Sequence, residues 1–316
     1  MTQAYQSGLG AAISKAAGWP DGAAFVEGEY VPIGAAKLSL LDWGFTKSDV
    51  TYDVVHVWEG AFYRLEDHLN RFYNSMAGLR MSIPHDRAEM TEILSQCVRL
   101  TGRRRAYVAM VTTRGVPMPG APRKPSLVEN RFYAYALPWI DILSPEIQER
   151  GAHVIIAEPP RIDRASVDPT IKNYQWGDLT QGLFEAEDRG ADVCMLLDSE
   201  GYVTEGPGFN VFAVTGGEIV TPDRGVLEGI TRLAVLDLCR ELEIPVSEGR
   251  LTAADLYAAD EVFLTSTAGG VMPATRVDDT IYANDSPGPM TVRLKEAYWR
   301  DHAEGTHSTP INYEGA

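Results

Sequence analysis

Between positions 65 and 79 the apolar side chains fall at Leu65, Leu69, Phe72, Met76 and Leu79, a three-and-four spacing that winds them onto one helix face. Asp67, near the start, is the expected capping acid. A second helix is predicted over residues 88–100, stopped by Gly102. Residues 50–58 (Val-Thr-Tyr-Asp-Val-Val-His-Val-Trp) are instead β-branched and aromatic, and Glu59-Gly60 turns them into a short strand at 61–64. An earlier hairpin is predicted over 24–33 around Glu27-Gly28-Glu29. Strands at 106–113 and 132–139 flank a Pro/Gly-rich loop at 115–125. This makes an α+β first half.

Residues 138–145 separate it from a second pattern that opens with the apolar strand 152–157. Helices follow at 175–189, 231–241 and 289–302, and strands at 193–198, 209–215, 218–221, 261–266 and 271–277. The expected organisation is an N-terminal extension (1–23), a small α+β domain (24–137), a linker (138–145) and a larger domain of mixed α/β character (146–316).

The 316 residues are 45% hydrophobic, enough to bury one or two cores. The formal charge of −16, with Arg103-Arg104-Arg105 as its one basic run, gives no positive footprint for a nucleic-acid backbone. No segment has the run of about 18 apolar residues of a spanning helix, and the N-terminus lacks the charged-then-apolar order of a signal peptide. A soluble, cytoplasmic protein with neither nucleic acid nor membrane as partner is expected. Cys97, Cys194 and Cys239 form no Cys-x-x-Cys pair, which predicts buried thiols rather than a disulfide framework or a zinc ribbon. No metal site is expected, and the motifs of metalloproteases, phosphate-loop enzymes and dinucleotide oxidoreductases are missing.

Only six of the 28 basic residues are lysines, so each can be judged singly. Lys172 stands in Asp-Pro-Thr-Ile-Lys-Asn-Tyr-Gln-Trp, a setting that desolvates an amine and suits it to Schiff-base chemistry. The other reading is a surface lysine whose stem covers Trp176. Glu205 leads into a glycine turn, Gly206-Pro207-Gly208, either a close-approach site for a ligand or a plain hairpin. Leu227-Glu228-Gly229-Ile230-Thr231 opens a helix whose free amides suit an anion. Thr265-Ser266-Thr267-Ala268-Gly269-Gly270 ends a strand with hydroxyls suited to phosphate oxygens, and Arg71 lies one turn into the first helix. A Schiff-base lysine, an acid for a ring nitrogen, two anion cups and an arginine together match the needs of pyridoxal 5′-phosphate.

In order and spacing these pieces resemble the fold type IV pyridoxal-phosphate enzymes over about residues 24–299. Within that group the chain is most similar to the (R)-selective amine transaminases. The likeness rests on Ser48-Asp49-Val50-Thr51-Tyr52-Asp53, Val57-Trp58-Glu59-Gly60, the run from Asp168 to Leu179, Thr204-Glu205-Gly206-Pro207-Gly208-Phe209-Asn210 and Thr267-Ala268-Gly269-Gly270. The resemblance implies Lys172 as Schiff-base residue and general base, and Glu205 on the pyridine nitrogen with Asn210 positioning it. It implies Arg71, Ile230, Thr231, Ser266 and Thr267 around the phosphate, and Tyr52, Tyr107, Trp176 and Ala268 around the substrate. Lys47 and Ala109 depart from the amine transaminase pattern at two pocket positions. Arg123, with Arg114 and Lys124 as rivals, is the candidate for a substrate carboxylate. The implied protein is a homodimer that passes an amino group from an (R)-amine to a 2-oxo acid such as pyruvate by a ping-pong cycle. The alternative is a transaminase of branched-chain L- or of D-amino acids with the same fold.

Overall fold

The structure, a computed structural model, describes residues 18–314, so residues 1–17 of the expected N-terminal extension lie outside the described residues. The first lobe is built on β1 (Ala23–Val26), β2 (Glu29–Pro32), β3 (Val50–Trp58), β4 (Ala61–Tyr63), β5 (Ala106–Thr113) and β6 (Arg131–Pro138). Its helices are α1 (Trp43–Lys47), α2 (Leu65–Gly78) and α3 (Arg87–Thr101). The sheet is antiparallel throughout and places β3 beside both β4 and β5. Leu65, Leu69, Phe72 and Met76 of α2 pack with Met90, Leu94 and Val98 of α3 on Val55, Val57, Val108 and Met110 of the sheet. The predicted stripe is thus the core face. Asp67 does not cap α2: Arg64, in a left-handed conformation, occupies the cap position without a side-chain cap bond, and Asp67 pairs with the Arg64 guanidinium at 3.2 Å. An acid in the first turn complements the helix dipole from there.

The opposite face of this sheet carries the second period-two set of β3 and β5. Tyr52 pairs with Val111 and Val54 with Ala109, and Ala109 pairs in turn with Tyr135 of β6. Helix α1 packs on one end of this face, with Gly44 against Thr113; the rest forms its own apolar cluster and turns toward the second lobe.

The second lobe has a mixed sheet of β7 (Ala152–Ile156), β8 (Val193–Met195), β9 (Glu205–Gly206), β10 (Phe209–Thr215), β11 (Glu218–Pro222), β12 (Val246–Gly249), β13 (Glu261–Ser266), β14 (Gly270–Val277) and β15 (Thr280–Ile281). Its helices are α4 (Pro145–Arg150), α5 (Gly177–Asp188), α6 (Ile230–Glu241), α7 (Ala253–Tyr257) and α8 (Pro289–Glu304). Helix α5 crosses between the parallel neighbours β7 and β8 and packs on Ile155 and Cys194, while α6 and α8 pack further along the same face of the sheet, on Phe212, Phe263 and Val271. The far end of the chain, expected within the larger domain (146–316), joins the first lobe. Strand β16 (Ser308–Pro310) returns to pair with β4, and Ile311 is buried in the first core. A three-residue Ser-Thr-Pro edge strand carries no hydrophobic period that could announce it.

The lobes also meet at a buried histidine pair. His56 Nε2 lies 2.8 Å from His302 Nε2, and His302 Nδ1 lies 2.8 Å from the Tyr298 carbonyl. That carbonyl can only accept, so His302 carries its proton on Nδ1 and accepts at Nε2 from His56. Burial pushes the His302 imidazole down to about 4, and the pair is neutral at physiological pH. Cys97, Cys194 and Cys239 are buried and unbridged. No helix among the described residues is long and apolar enough to cross a membrane.

Candidate active site

A cavity of about 250 Å³ lies between the Tyr52 face of the first lobe's sheet and the strand ends of the second. Its wall gathers Arg71, Lys172, Glu205, Asn210, Ile230, Thr231, Ser266 and Thr267, together with Tyr52, Tyr107, Trp176 and Ala268. These residues come from both lobes and from widely separated stretches of chain, and most arrive from the end of an element or a loop.

Lys172 is anchored by the first lobe although it belongs to the second. Its carbonyl accepts from Thr51 Oγ1 (2.7 Å) and the Tyr52 amide (3.2 Å), and its own amide donates to Ser75 Oγ at 3.2 Å. The ammonium lies 4.5 Å from the centre of the Tyr52 ring, which packs at a tilt against Tyr174 with ring centres 4.4 Å apart. The side chain therefore leaves a fixed backbone and lies along an aromatic face.

Glu205 is buried at the start of the β9–β10 hairpin. Its Oε1 accepts from Arg161 Nε (3.2 Å) and Nη2 (3.1 Å), and its Oε2 accepts from the Leu227 amide at 2.9 Å. Burial pushes this carboxyl up; Arg161 and the Leu227 amide pull it back without cancelling the rise. Arg161 also donates to Asp178 at 2.7 Å, so the guanidinium is shared between two acids. Asn210, opposite Glu205 in the hairpin, donates to the Leu227 carbonyl at 2.9 Å and holds the segment that feeds its amide to Glu205. Arg161 has no motif around it, and sequence reasoning passed over it.

The anion cup is the first turn of α6. Gly229 is its cap residue and supplies no capping side chain, so the amides at the helix start are open to a ligand. A Cβ at Gly229 would come within 2.1 Å of Asn210 Oδ1, so glycine is required for this approach. Arg71 closes the cup from the first lobe. Its Nε and Nη2 bind the Asp53 carboxylate at 2.7 and 2.8 Å, and its Nη1 donates to the Glu228 carbonyl at 3.0 Å. Asp53 is fully buried and also accepts from His68 Nδ1 at 2.8 Å. Burial works to raise this carboxyl, but Arg71 and His68 outweigh it and hold it well below the usual carboxylate range. Its contribution to stability is thus complete above the unfolded-state value and is lost as pH falls from there toward the folded one. The sole signal for Asp53 in the sequence is an acid in the middle of an apolar strand.

Asp53→Asn is expected to leave one Arg71 contact poorly matched and to weaken cofactor retention about tenfold, with kcat at saturating cofactor nearly intact. Dialysis followed by cofactor titration measures it. A variant that holds cofactor as the parent does removes Asp53 from this role.

Three expected substrate residues do not line this cavity. Lys47 is exposed at the end of α1 with its ammonium 3.1 Å from the centre of the Trp43 ring. Ala109 is buried in the sheet face opposite Val54, within the apolar cluster behind the wall. Arg123 is exposed on the loop after β5, close enough to Lys47 for the two charges to act on each other. Of its rivals, Lys124 is exposed on the same loop. Arg114 is committed elsewhere: it forms a fork on Asp49 (2.9 and 3.0 Å) and donates to the carbonyls of Leu79 and Arg80.

A lysine, a buried acid, an open anion cup and aromatic rings around one cavity define a pyridoxal-phosphate enzyme. The comparisons with known proteins agree, and the chain belongs to the class IV aminotransferases: the family model for amino-transferase class IV matches residues 51–277. A branched-chain-amino-acid aminotransferase of Pseudomonas aeruginosa is 32% identical over 241 residues, covering 76% of this chain and 78% of the relative. A D-alanine aminotransferase of Bacillus licheniformis is 30% identical over 262 residues, with 81% and 88% covered. Among solved structures, a T.th. branched-chain amino acid aminotransferase complexed with N-(5′-phosphopyridoxyl)-L-glutamate superposes with a TM-score of 0.85 at 30% identity. That match covers 92% of this chain and 99% of the other. The cofactor is pyridoxal 5′-phosphate, and the cavity fits it. The buried Thr265 hydroxyl has no partner among the described residues and lies in the cavity wall, and the α6 amides stand open.

Proposed function

We propose that the chain is an (R)-selective amine:2-oxo acid transaminase with pyruvate as acceptor, working in two half-reactions. The observation that carries this reading is the charge state of the cavity wall. Its two guanidiniums are both neutralised, Arg71 by Asp53 and Arg161 by Glu205 and Asp178, and the floor from the first lobe offers Tyr52, Val54 and Tyr107. Such a wall favours an apolar group and, with Lys172 given over to the cofactor, offers no unpaired guanidinium to a substrate carboxylate. Handedness rests on the motif resemblance.

When bound, pyridoxal 5′-phosphate supplies an electron-poor ring that takes up the electron pair left when the substrate carbon loses its proton. Lys172 Nζ is the group that removes this proton and returns it on the other side of the exchange. Glu205 holds a proton on the ring nitrogen, and Arg161 with the Leu227 amide fixes the orientation of that carboxylate. Arg71, the Ile230 and Thr231 amides, Ser266 and Thr267 bind the phosphate and carry most of the affinity. Trp176, Ala268 and the tyrosines orient the substrate and exclude water. Arg123 meets the carboxylate of pyruvate or alanine when its loop folds inward.

A homodimer is part of this proposal. Leu40, Leu41 and Phe45 around α1, and Met118 on the adjoining loop, are exposed apolar side chains, and the Trp43 amide ties the two segments together through the Gly115 carbonyl. The names of the relatives support a second reading, a transaminase of branched-chain L- or D-amino acids.

One set of cuvettes separates the two. Bleaching of the bound cofactor by (R)-1-phenylethylamine, with none by the (S)-amine, is the expected result; bleaching by L-leucine or D-alanine alone transfers the assignment to the second reading. Arg123→Ala is expected to slow the pyruvate and alanine half-reactions about tenfold or more while sparing the carboxylate-free amine. Equal loss on both substrates removes Arg123 from the carboxylate role.

A further inference from the structure

The segment joining the lobes is extended, and its side chains alternate between two spaces. Ile140 and Ile142 line the active-site cavity, whereas Trp139 and Asp141 line a groove of about 470 Å³ on the other side. The neighbouring turn divides in the same way, with Ala268 facing the active site and Gly269 the groove, and the Ile142 amide stitches segment to turn through the Ala268 carbonyl at 2.8 Å. Groove and active site therefore share a wall one backbone layer thick.

Three indoles line the groove, each half-buried: Trp58 at the end of β3, Trp139 in the joining segment and Trp299 in α8. Their ring centres lie 4.5 Å (Trp58 to Trp299), 5.9 Å (Trp58 to Trp139) and 6.4 Å (Trp139 to Trp299) apart. One turn before Trp299, Lys295 brings its ammonium to the groove and donates to the Gln148 carbonyl at 3.2 Å. No carboxylate pairs with it among the described residues, and partial burial lowers its pKa against the weaker opposing pull of exposed Glu149. Of the other charges at the groove Glu149 stands in solvent, and Asp141 and Arg105 have partners. Asp141 accepts from Trp139 Nε1 (2.8 Å) and Gln148 Nε2 (3.3 Å), and Arg105 is bound to Glu59 while lying 3.8 Å over the Trp58 ring.

We propose that this groove is a second ligand site, for an organic carboxylate with a planar apolar tail, with Lys295 on the carboxylate and the indoles of Trp58 and Trp299 on the tail. The charge argument selects the carboxylate: a half-buried ammonium with two N–H groups to spare gains most from an anion, and the groove's own carboxylates, Asp141 and Glu149, lie in solvent. The rings supply the apolar surface, since indole faces in contact with solvent gain by covering one another or a guest. An occupant touches β3, the joining segment and α8 at once, and so binds both lobes. The proposal stands whether the donor is an amine or an amino acid.

The test is isothermal titration of the holoenzyme with 3-phenylpropionate, in parallel with a titration of cofactor absorbance, which reads the same compound in the active site. Lys295→Gln is expected to weaken one calorimetric binding event about tenfold or more and Lys295→Glu to abolish it, with the absorbance titration and basal turnover unchanged. The uncharged 3-phenylpropanamide is expected to bind there at least about tenfold more weakly than the acid. Absence of a binding event sensitive to Lys295, parallel loss of the absorbance response, or equal binding of the amide overturns the proposal.

Discussion

Lys172→Ala is expected to lower turnover by at least about four orders of magnitude, the joint loss of an activated nucleophile and a positioned base. Lys172 is the only amine on the cavity wall among the described residues, so no neighbour can substitute for it. The fold is expected to survive the change. Three hydrogen bonds to Thr51, Tyr52 and Ser75 engage only the backbone of residue 172 and persist in the alanine variant. Unfolding free energy is expected to shift by no more than about 1 kcal/mol, as for a partly exposed side chain without a buried partner. Lys172→Arg separates charge from chemistry. It keeps the cation beside the Tyr52 ring but cannot give up a proton near neutral pH, and it should be as inactive as the alanine. Single-turnover kinetics on both variants, with melting curves beside them, make the measurement. Turnover within about tenfold of the parent in either variant ends the assignment.

The sequence was readable where one signal ran long enough to show. Helix α2 repeats its three-and-four spacing, β3 and β5 are runs of eight or more residues rich in β-branched, aromatic and other apolar side chains, and the structure places all three within a residue or so of the reading. Short elements carry no period: α1 and α7 have five residues each and β16 three, and all three were missed. Candidate residues with a chemical signature in their neighbours, Lys172, Glu205 and the α6 turn, meet in one cavity. Those that serve through partners were invisible. Asp53 and Arg161 look like an isolated charge in a strand and another in a loop until folding brings Arg71 to the first and Glu205 to the second. Arg114 is the converse case. Its place at the start of the loop after β5 made it a rival candidate for the substrate carboxylate, and the fork on Asp49 shows that it ties the end of β5 to the start of β3.

Glu205→Gln carries the second large effect, and it separates chemistry from binding. The amide keeps the shape of the carboxyl and can still accept from Arg161 or the Leu227 amide, so cofactor affinity, fixed mainly at the phosphate end, is expected to change by less than about fivefold. What disappears is the negative charge that keeps a proton on the ring nitrogen, and kcat is expected to fall by about 10²–10³, the usual cost of one preorganised electrostatic contact. The pH dependence of the cofactor-free protein gives an independent check. Burial raises the folded-state pKa of Glu205 above its unfolded value, so between those two values the folded state binds more protons and stability falls as pH rises. Glutamine has no proton to lose, and the variant should lack that part of the decline. Arg161 would then retain Asp178 as its one buried anionic partner, which limits the cost of the substitution to the fold. A Glu205→Gln enzyme with kcat within about threefold of the parent would mean that the ring nitrogen is protonated by another group, and Arg161 would become the residue to explain.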